Sequence, residues 1–281
     1  MAPPVDFQSL TPEMLKRFMD SHTERRYQLV DVRQPDEYAT AHIPGARLMP
    51  LPELEARLYE LPDDQHLIFY CRSGSRSTYA AALAMDGEVT RKTVGHLAGG
   101  ILAWEGNTLA DFPRLEVFDT AAGLPQLLLT AMDLEKGAYR FYADFLKSMA
   151  PEILRPTLTR LSKAEESHAR MIYRHLAEID ETAAPFETLY AGLKGNILEG
   201  GETFDDLTAR FSDMPGDVCL NIIEIGLSIE FAAFDLYRTM AEQAEDPLLK
   251  NTFIKIAQAE KAHMRTLSRA LEHCGKLQAE S

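Results

Sequence analysis

Two Glu-x-x-His pairs, Glu165 with His168 and Glu260 with His263, stand 95 residues apart, since 260−165 and 263−168 are both 95. Each pair is preceded by a glutamate 30 residues upstream, Glu135 (165−135) and Glu230 (260−230), and these are again 95 apart. An α-helix turns by about 100° per residue, so positions i and i+3 lie about 60° apart on one face. A glutamate and a histidine at that spacing can grip one metal ion together. Two such helices, with two more giving one glutamate each, would bring four carboxylates and two imidazoles around a pair of metal ions. One Glu-x-x-His alone reads more simply as a solvated charge pair; the duplicated set with a common offset favours the metal. The repeat extends further, because both upstream glutamates are followed by alanine at +3 (Ala138, Ala233) and tyrosine at +7 (Tyr142, Tyr237). Alanine leaves room for ligands, and tyrosine at +7 faces the same interior as its glutamate. Tyr142 and Tyr237 read either as packing residues with a satisfied hydroxyl or as supports or redox relays for the ligands.

A second chemistry lies in the first half. The apolar run His66–Cys71 ends in Cys71-Arg72-Ser73-Gly74-Ser75-Arg76-Ser77, after which a helix begins. A cysteine between a strand end and a helix start sits under backbone N–H groups and a helix dipole, which favour the thiolate and bind anions. Arg72 and Arg76 add positive charge, and Gly74 permits tight backbone curvature. A buried inert cysteine needs neither two arginines nor a glycine, so Cys71 reads as a nucleophile, with Ser73, Gly74 and Ser75 forming the substrate loop. Cys219 and Cys274 lie in helical text without such a setting and read as packing residues. With three scattered cysteines and no C-x-x-C pair, disulfide scaffolding and thiolate-held zinc or iron are not expected, and a reducing cytoplasm fits best.

The elements that must position these residues divide the chain. At 281 residues, two domains are the default expectation. Up to about residue 110, short apolar runs (Tyr27–Arg33, His66–Cys71) read as strands. Thr11–Ser21, Pro52–Leu61 and Ser75–Met85 read as helices, the first with Thr11 as N-cap. Alternation of this kind implies an α/β domain with a mainly parallel sheet flanked by helices. From about 122, a 3.6-residue period predicts helices near 124–149, 151–180, 217–244 and 246–273, with Pro151 and Pro247 in first turns and Gly275 after the last. Tight connections make each pair antiparallel. The long stretch 181–216 would cross the end of the bundle, with a short helix around Phe186–Leu193. The reading is therefore residues 1–110, a linker over 111–121, and an all-α four-helix bundle over 122–281. A net charge of −14 argues against nucleic acid and anionic membranes as partners. No apolar run reaches the roughly 18–20 residues of a membrane span, and the opening residues do not read as a secretory signal.

Residues 122–275, through the paired E-x-x-A-x-x-[FL]-Y and E-x-x-H helices with one long crossover, resemble the rubrerythrin branch of the ferritin-like superfamily. The resemblance implies a non-haem di-iron centre that reacts with peroxide or dioxygen, with Glu135, Glu165, His168, Glu230, Glu260 and His263 as ligands. Carboxylates and imidazoles would also suit Mn or Zn, so iron comes from the resemblance. Rubrerythrins commonly carry an extra glutamate three residues before the counterpart of Glu230, where this chain has Leu227. Many also carry a cysteine-held iron for which no cysteines are present here. An external electron donor or the first domain must then supply electrons. A homodimer is expected from the same likeness.

Residues 5–110 resemble a single-domain rhodanese through D-V-R at 31–33, E-Y at 37–38, H-I-P-G-A at 42–46, the C-R-S-G-S-R loop and A-G-G-x-x-x-W at 98–104. The family implies that Cys71 takes a sulfane sulfur as a persulfide, from a small compound such as thiosulfate, and passes it to an acceptor thiol or cyanide. Asp31 and Arg33 would support the loop, and the ring of His42 would lock it. Four residues separate Cys71 from Arg76; tyrosine-phosphatase loops of this kind are longer by one, which argues against phosphatase action. The leading expectation is a bifunctional enzyme in which sulfur oxidation is coupled to peroxide or oxygen reduction. The alternative is an iron-storing or iron-sensing protein whose first domain docks partners.

Overall fold

The computed structural model describes residues 7–118 and 123–279, save for the side chains at 7, 146, 273 and 275–279. Residues 119–121 of the expected linker, residue 122 of the expected bundle, and the opening 1–6 lie outside the described residues. The chain forms two compact units, Met1–Phe112 and Pro113–Ser281.

In the first unit, the described residues hold β1 (Phe7–Leu10), β2 (Tyr27–Asp31), β3 (Arg47–Leu48), β4 (His66–Tyr70) and β5 (Val94–Leu97). All pair in parallel, in the order β1-β5-β4-β2-β3. Around the sheet run α1 (Pro12–Ser21), α2 (Pro35–Thr40), α3 (Leu51–Arg57), α4 (Ser75–Asp86) and the short α5 (Gly100–Ala103). Successive strand side chains point to opposite faces. Val30, Leu67 and Phe69 accordingly join Leu54, Ala80 and Ala84 in one core, while Leu29, Ile68 and Tyr70 join Leu15, Tyr38 and Ile43 in another. Central strands covered on both faces read as unbroken apolar runs, which is why β2 and β4 stand out in the sequence. Both end earlier than expected, at Asp31 and Tyr70, so Arg33 and Cys71 belong to loops. Thr11 caps α1 by accepting from Met14 N at 3.3 Å.

The second unit consists of α6 (Leu124–Ser148), α7 (Arg155–Ile179), α8 (Phe186–Gly192), α9 (Phe204–Asp213), α10 (Val218–Gln243) and α11 (Pro247–Ala279). Helices α6 and α7 pack as one hairpin, α10 and α11 as another, and α7 packs on α11. Several details differ from expectation. Pro151 precedes a 3₁₀ turn over Glu152–Leu154, and Pro156 takes the first-turn place in α7. Helix α11 continues through Gly275. Helix α9 was not expected; Thr203 starts it by accepting from Asp206 N at 3.1 Å. The cysteine reading is overturned: Cys219 and Cys274 form a disulfide, with Cα atoms 5.7 Å apart. A helical hairpin sets the start of α10 beside the end of α11, a proximity that 55 residues of sequence separation hide.

Two apolar clusters fill the bundle. Leu128, Met132, Ile172, Leu236 and Phe253 belong to one, and Phe141, Leu158, Leu161, Ile222 and Leu267 to the other. Glu135 on α6, Glu165 and His168 on α7, and Glu230 on α10 occur where the sequence passes from one cluster to the other, and Glu260 and His263 on α11 lie close to that change, between Ala257 and Leu267. No helix among the described residues is long and apolar enough to cross a membrane.

Candidate functional site

Glu135 on α6, Glu165 and His168 on α7, Glu230 on α10, and Glu260 and His263 on α11 are all buried and converge. They form two overlapping quartets, Glu135–Glu165–His168–Glu260 and Glu165–Glu230–Glu260–His263, with each quartet's ligand atoms within 4.8 Å of one another. Glu165 and Glu260 belong to both. His168 Nδ1 lies 3.1 Å from Glu135, 3.2 Å from Glu165 and 3.0 Å from Glu260. His263 Nδ1 lies 3.2 Å from Glu165, 3.1 Å from Glu230 and 2.9 Å from Glu260. One ring nitrogen carries at most one proton and so can satisfy only one of three carboxylates at a time. Glu165 Oε1 and Glu260 Oε2 stand close to His263 yet have no hydrogen bond. A cation in each quartet would meet all four donor atoms at once, and oxygen with imidazole donors suits Fe, Mn or Zn. The residues fit a metal pair.

Electrostatics agree. Burial raises the Glu135 carboxyl to about 7, against the pull of His168. Burial also raises Glu230, with His263 opposing. Burial works to raise Glu260 too, but there the charges of His168 and His263 outweigh it and the carboxyl is lowered. Both imidazoles are raised although burial opposes it, because the carboxylates surround them. Charge this dense is held inside a protein only when it is paired or bound to metal.

The two tyrosines are reciprocal. Tyr142 on α6 donates to Glu230 on α10, and Tyr237 on α10 donates to Glu135 on α6. Each hydroxyl is satisfied by a carboxylate of the opposite helix, so packing and support of the cluster coincide. Sequence reasoning missed a further buried acid, Glu199, on the segment between α8 and α9. No periodic signal could have marked it.

In the first unit, Cys71 is buried and follows β4. Its Sγ accepts from Gly74 N at 3.1 Å. Burial would raise the thiol, but the polar surroundings of the sulfur, the Ser77 hydroxyl first and then the N–H groups of Ser77, Gly74 and Ser73, outweigh it and lower the pKa; the Ser77 hydroxyl itself donates to the Gly74 carbonyl at 2.9 Å. Gly74, at φ +103°, turns the chain into α4. The A-G-G stretch backs the loop. Ile101 N donates to the Cys71 carbonyl at 2.8 Å and Leu102 N to that of Arg72 at 3.1 Å. A Cβ on Gly100, at φ +61°, would lie 2.4 Å from the Cys71 oxygen.

The charged residues are deployed differently from one another. Arg72, Ser73 and Ser75 are exposed. Arg76 makes two 2.7 Å bonds to Glu37, holding that carboxyl down to about 2; its charge is thus shared with an acid from α2. Asp31 and Arg33 pair with each other at 2.9 and 3.0 Å, and Arg33 also donates to the Ala41 carbonyl at 2.7 Å. They brace the segment before His42, whose buried ring stacks on Tyr38 at 3.9 Å. Ser77 and Glu37 are the contributors that sequence reasoning did not assign.

Comparison with known proteins follows these two units. A family model for a rhodanese-like domain matches residues 11–107, and one for rubrerythrin matches 221–279. A "Sulfurtransferase" of Allochromatium vinosum is 43% identical over 76 residues, covering 27% of this chain and 69% of the relative. The "Probable adenylyltransferase/sulfurtransferase MoeZ" of Mycobacterium tuberculosis is 39% identical over 98 residues, 34% of this chain; the match spans only 24% of that relative's length. The crystal structure of a rhodanese-like domain protein from Staphylococcus aureus aligns with 37% of this chain and 98% of its own, at 24% identity and a TM-score of 0.33. The chain therefore belongs to the rhodanese-like family through residues 11–107, and its residues 221–279 match the family model for rubrerythrin.

Proposed function

We propose that the chain is a bifunctional enzyme, a sulfurtransferase acting through Cys71 and a di-iron oxidoreductase acting on peroxide or dioxygen. The observation that carries the second activity is the pair of quartets sharing Glu165 and Glu260. The rubrerythrin domain implies iron. Glu135 with His168 would hold one ion, Glu230 with His263 the other, and Glu165 and Glu260 would serve both. Iron bound there would supply two-electron reduction of peroxide or dioxygen, with electrons from an external donor. The chain's own part is to exclude water by burial, to present six donor side chains in register, and to fix Glu135 and Glu230 through Tyr237 and Tyr142.

At Cys71, the thiolate attacks the sulfane sulfur of a donor such as thiosulfate. A new S–S bond forms to Cys71 as the donor's S–S bond breaks, and sulfite leaves with that electron pair. An acceptor thiolate or cyanide then takes the outer sulfur, and Cys71 departs as thiolate. The N–H groups of Ser73, Gly74 and Ser77 hold the negative charge throughout, a preorganised arrangement of the kind that stabilises charge best. Two assays test the proposal: thiosulfate-to-cyanide sulfur transfer, which Cys71→Ser should abolish, and peroxide consumption by reduced, iron-loaded protein. A protein that binds iron yet consumes peroxide no faster than free iron would support storage or sensing instead.

A further inference from the structure

Glu199 lies outside both quartets, and neither chemistry above uses it. Its side chain is 2% exposed and its Oε2 has no hydrogen-bond partner. Burial drives its carboxyl well above the usual range, reinforced first by Glu135, then by Glu165 and Glu260. Glu199 in turn acts on the hydroxyl of Tyr237, which holds Glu135. Its chain neighbour Leu198 packs on α6 two residues from Glu135, where a Cβ on Gly137 would lie 3.5 Å from Leu198 Cγ.

Its placement is built into the bundle. Asp133, Lys136, Gly137 and Arg140 form one stripe of α6, at i, i+3, i+4 and i+7, and all four hold the crossover segment. Asp133 Oδ1 accepts from Lys194 N at 2.7 Å and Gly195 N at 2.9 Å. Lys136 Nζ donates to the Tyr190 carbonyl, and Arg140 donates to the carbonyls of Lys194 at 2.7 Å and Gly195 at 2.9 Å. A Cβ on Gly137 would lie 2.4 Å from the Ile197 oxygen, so only glycine admits the segment there. On the other side, a Cβ on Gly200 would sit 3.3 Å from Ala232 of α10. Between these anchors, Glu199 enters next to the helices that carry Glu135 and Glu230.

We propose that Glu199 is a fifth carboxylate for the cation pair, delivered by the crossover segment and turning onto the cation held by Glu135 and His168. The assignment rests on the two-cation reading above. A purely structural residue would need only this shape, whereas an unpartnered buried carboxyl oxygen is costly until a cation or proton donor meets it.

The test compares full-length wild type, Glu199→Gln and Glu199→Leu, stripped with chelator and titrated with Co(II). Metal content, affinity and the visible Co(II) spectrum, which follows coordination, are read alongside unfolding of the metal-free forms. Wild type should bind two Co(II). Both variants should fold without metal at wild-type stability or better. Each should hold one Co(II) about 10-fold or more weakly, with an altered spectrum. Wild-type affinity and an unchanged spectrum in Glu199→Gln would overturn the assignment and leave the two-cation reading standing. Failure of both variants to fold would also overturn it, in favour of a structural role. A wild type that binds fewer than two Co(II) removes both readings.

Discussion

The imidazoles of His168 and His263 face each other with ring centroids 5.1 Å apart and planes inclined by 17°. Each closes one quartet and is absent from the other, whereas Glu165 and Glu260 belong to both. Substitutions should therefore sort into two classes. His168→Ala or His263→Ala should lower the metal content from two ions to one, and Glu165→Ala or Glu260→Ala should weaken both. Elemental analysis after dialysis distinguishes them, and equal losses in all four variants would argue against shared carboxylates.

Removing the hydroxyl of Tyr142 or Tyr237 leaves its ring in the core and frees Glu230 or Glu135. Partners of metal ligands are typically worth 10–100-fold in metal affinity. Tyr142→Phe and Tyr237→Phe should each show a loss of about that size in chelator competition. A loss of thermal stability with unchanged affinity would assign these tyrosines to packing alone.

Because the Cys71 thiol is lowered, its reactive thiolate should persist to lower pH than that of a free cysteine, whose pKa is about 8.5. Sulfur transfer should rise through a midpoint below that value. Ser77→Ala removes the hydroxyl that helps lower the thiol and should move the midpoint upward. Rate against pH with thiosulfate and cyanide reads this directly; a midpoint at the free-thiol value in wild type would contradict it.

The Cys219–Cys274 bridge closes a loop of 55 residues. Constraint of the unfolded chain by such a loop is worth about 4 kcal/mol in the entropy model, and often less in practice. Chemical denaturation of the helical unit with and without reductant should differ by up to about 4 kcal/mol. Superimposable curves would show that the bridge contributes nothing.

What the sequence revealed follows from physics with a fixed period. Two buried central strands and four long amphipathic helices leave unbroken or periodic apolar patterns, so Leu29, Phe69, Ile172 and Leu236 announce their elements. The six acidic and histidine residues were legible because helical geometry turns i, i+3 spacing into adjacency. Contacts across the chain carry no such period. The partnership of Arg76 with Glu37, the bond from Ile101 to the Cys71 carbonyl, the Cys219–Cys274 bridge and the inward course of Glu199 all depend on tertiary neighbours. The short β3 and β5 were illegible for another reason. β3 has two residues, and β5 carries Gly95, where a Cβ would lie 2.8 Å from the Gln8 carbonyl. That glycine answers to a neighbouring strand and not to a local pattern.

The most direct measurement is X-ray diffraction from crystals of the iron-loaded full-length chain at the iron absorption edge. Two anomalous peaks should appear, one within reach of Glu135 and His168 and one within reach of Glu230 and His263, with Glu165 and Glu260 touching both. A single peak, or none among these six side chains, would contradict the account.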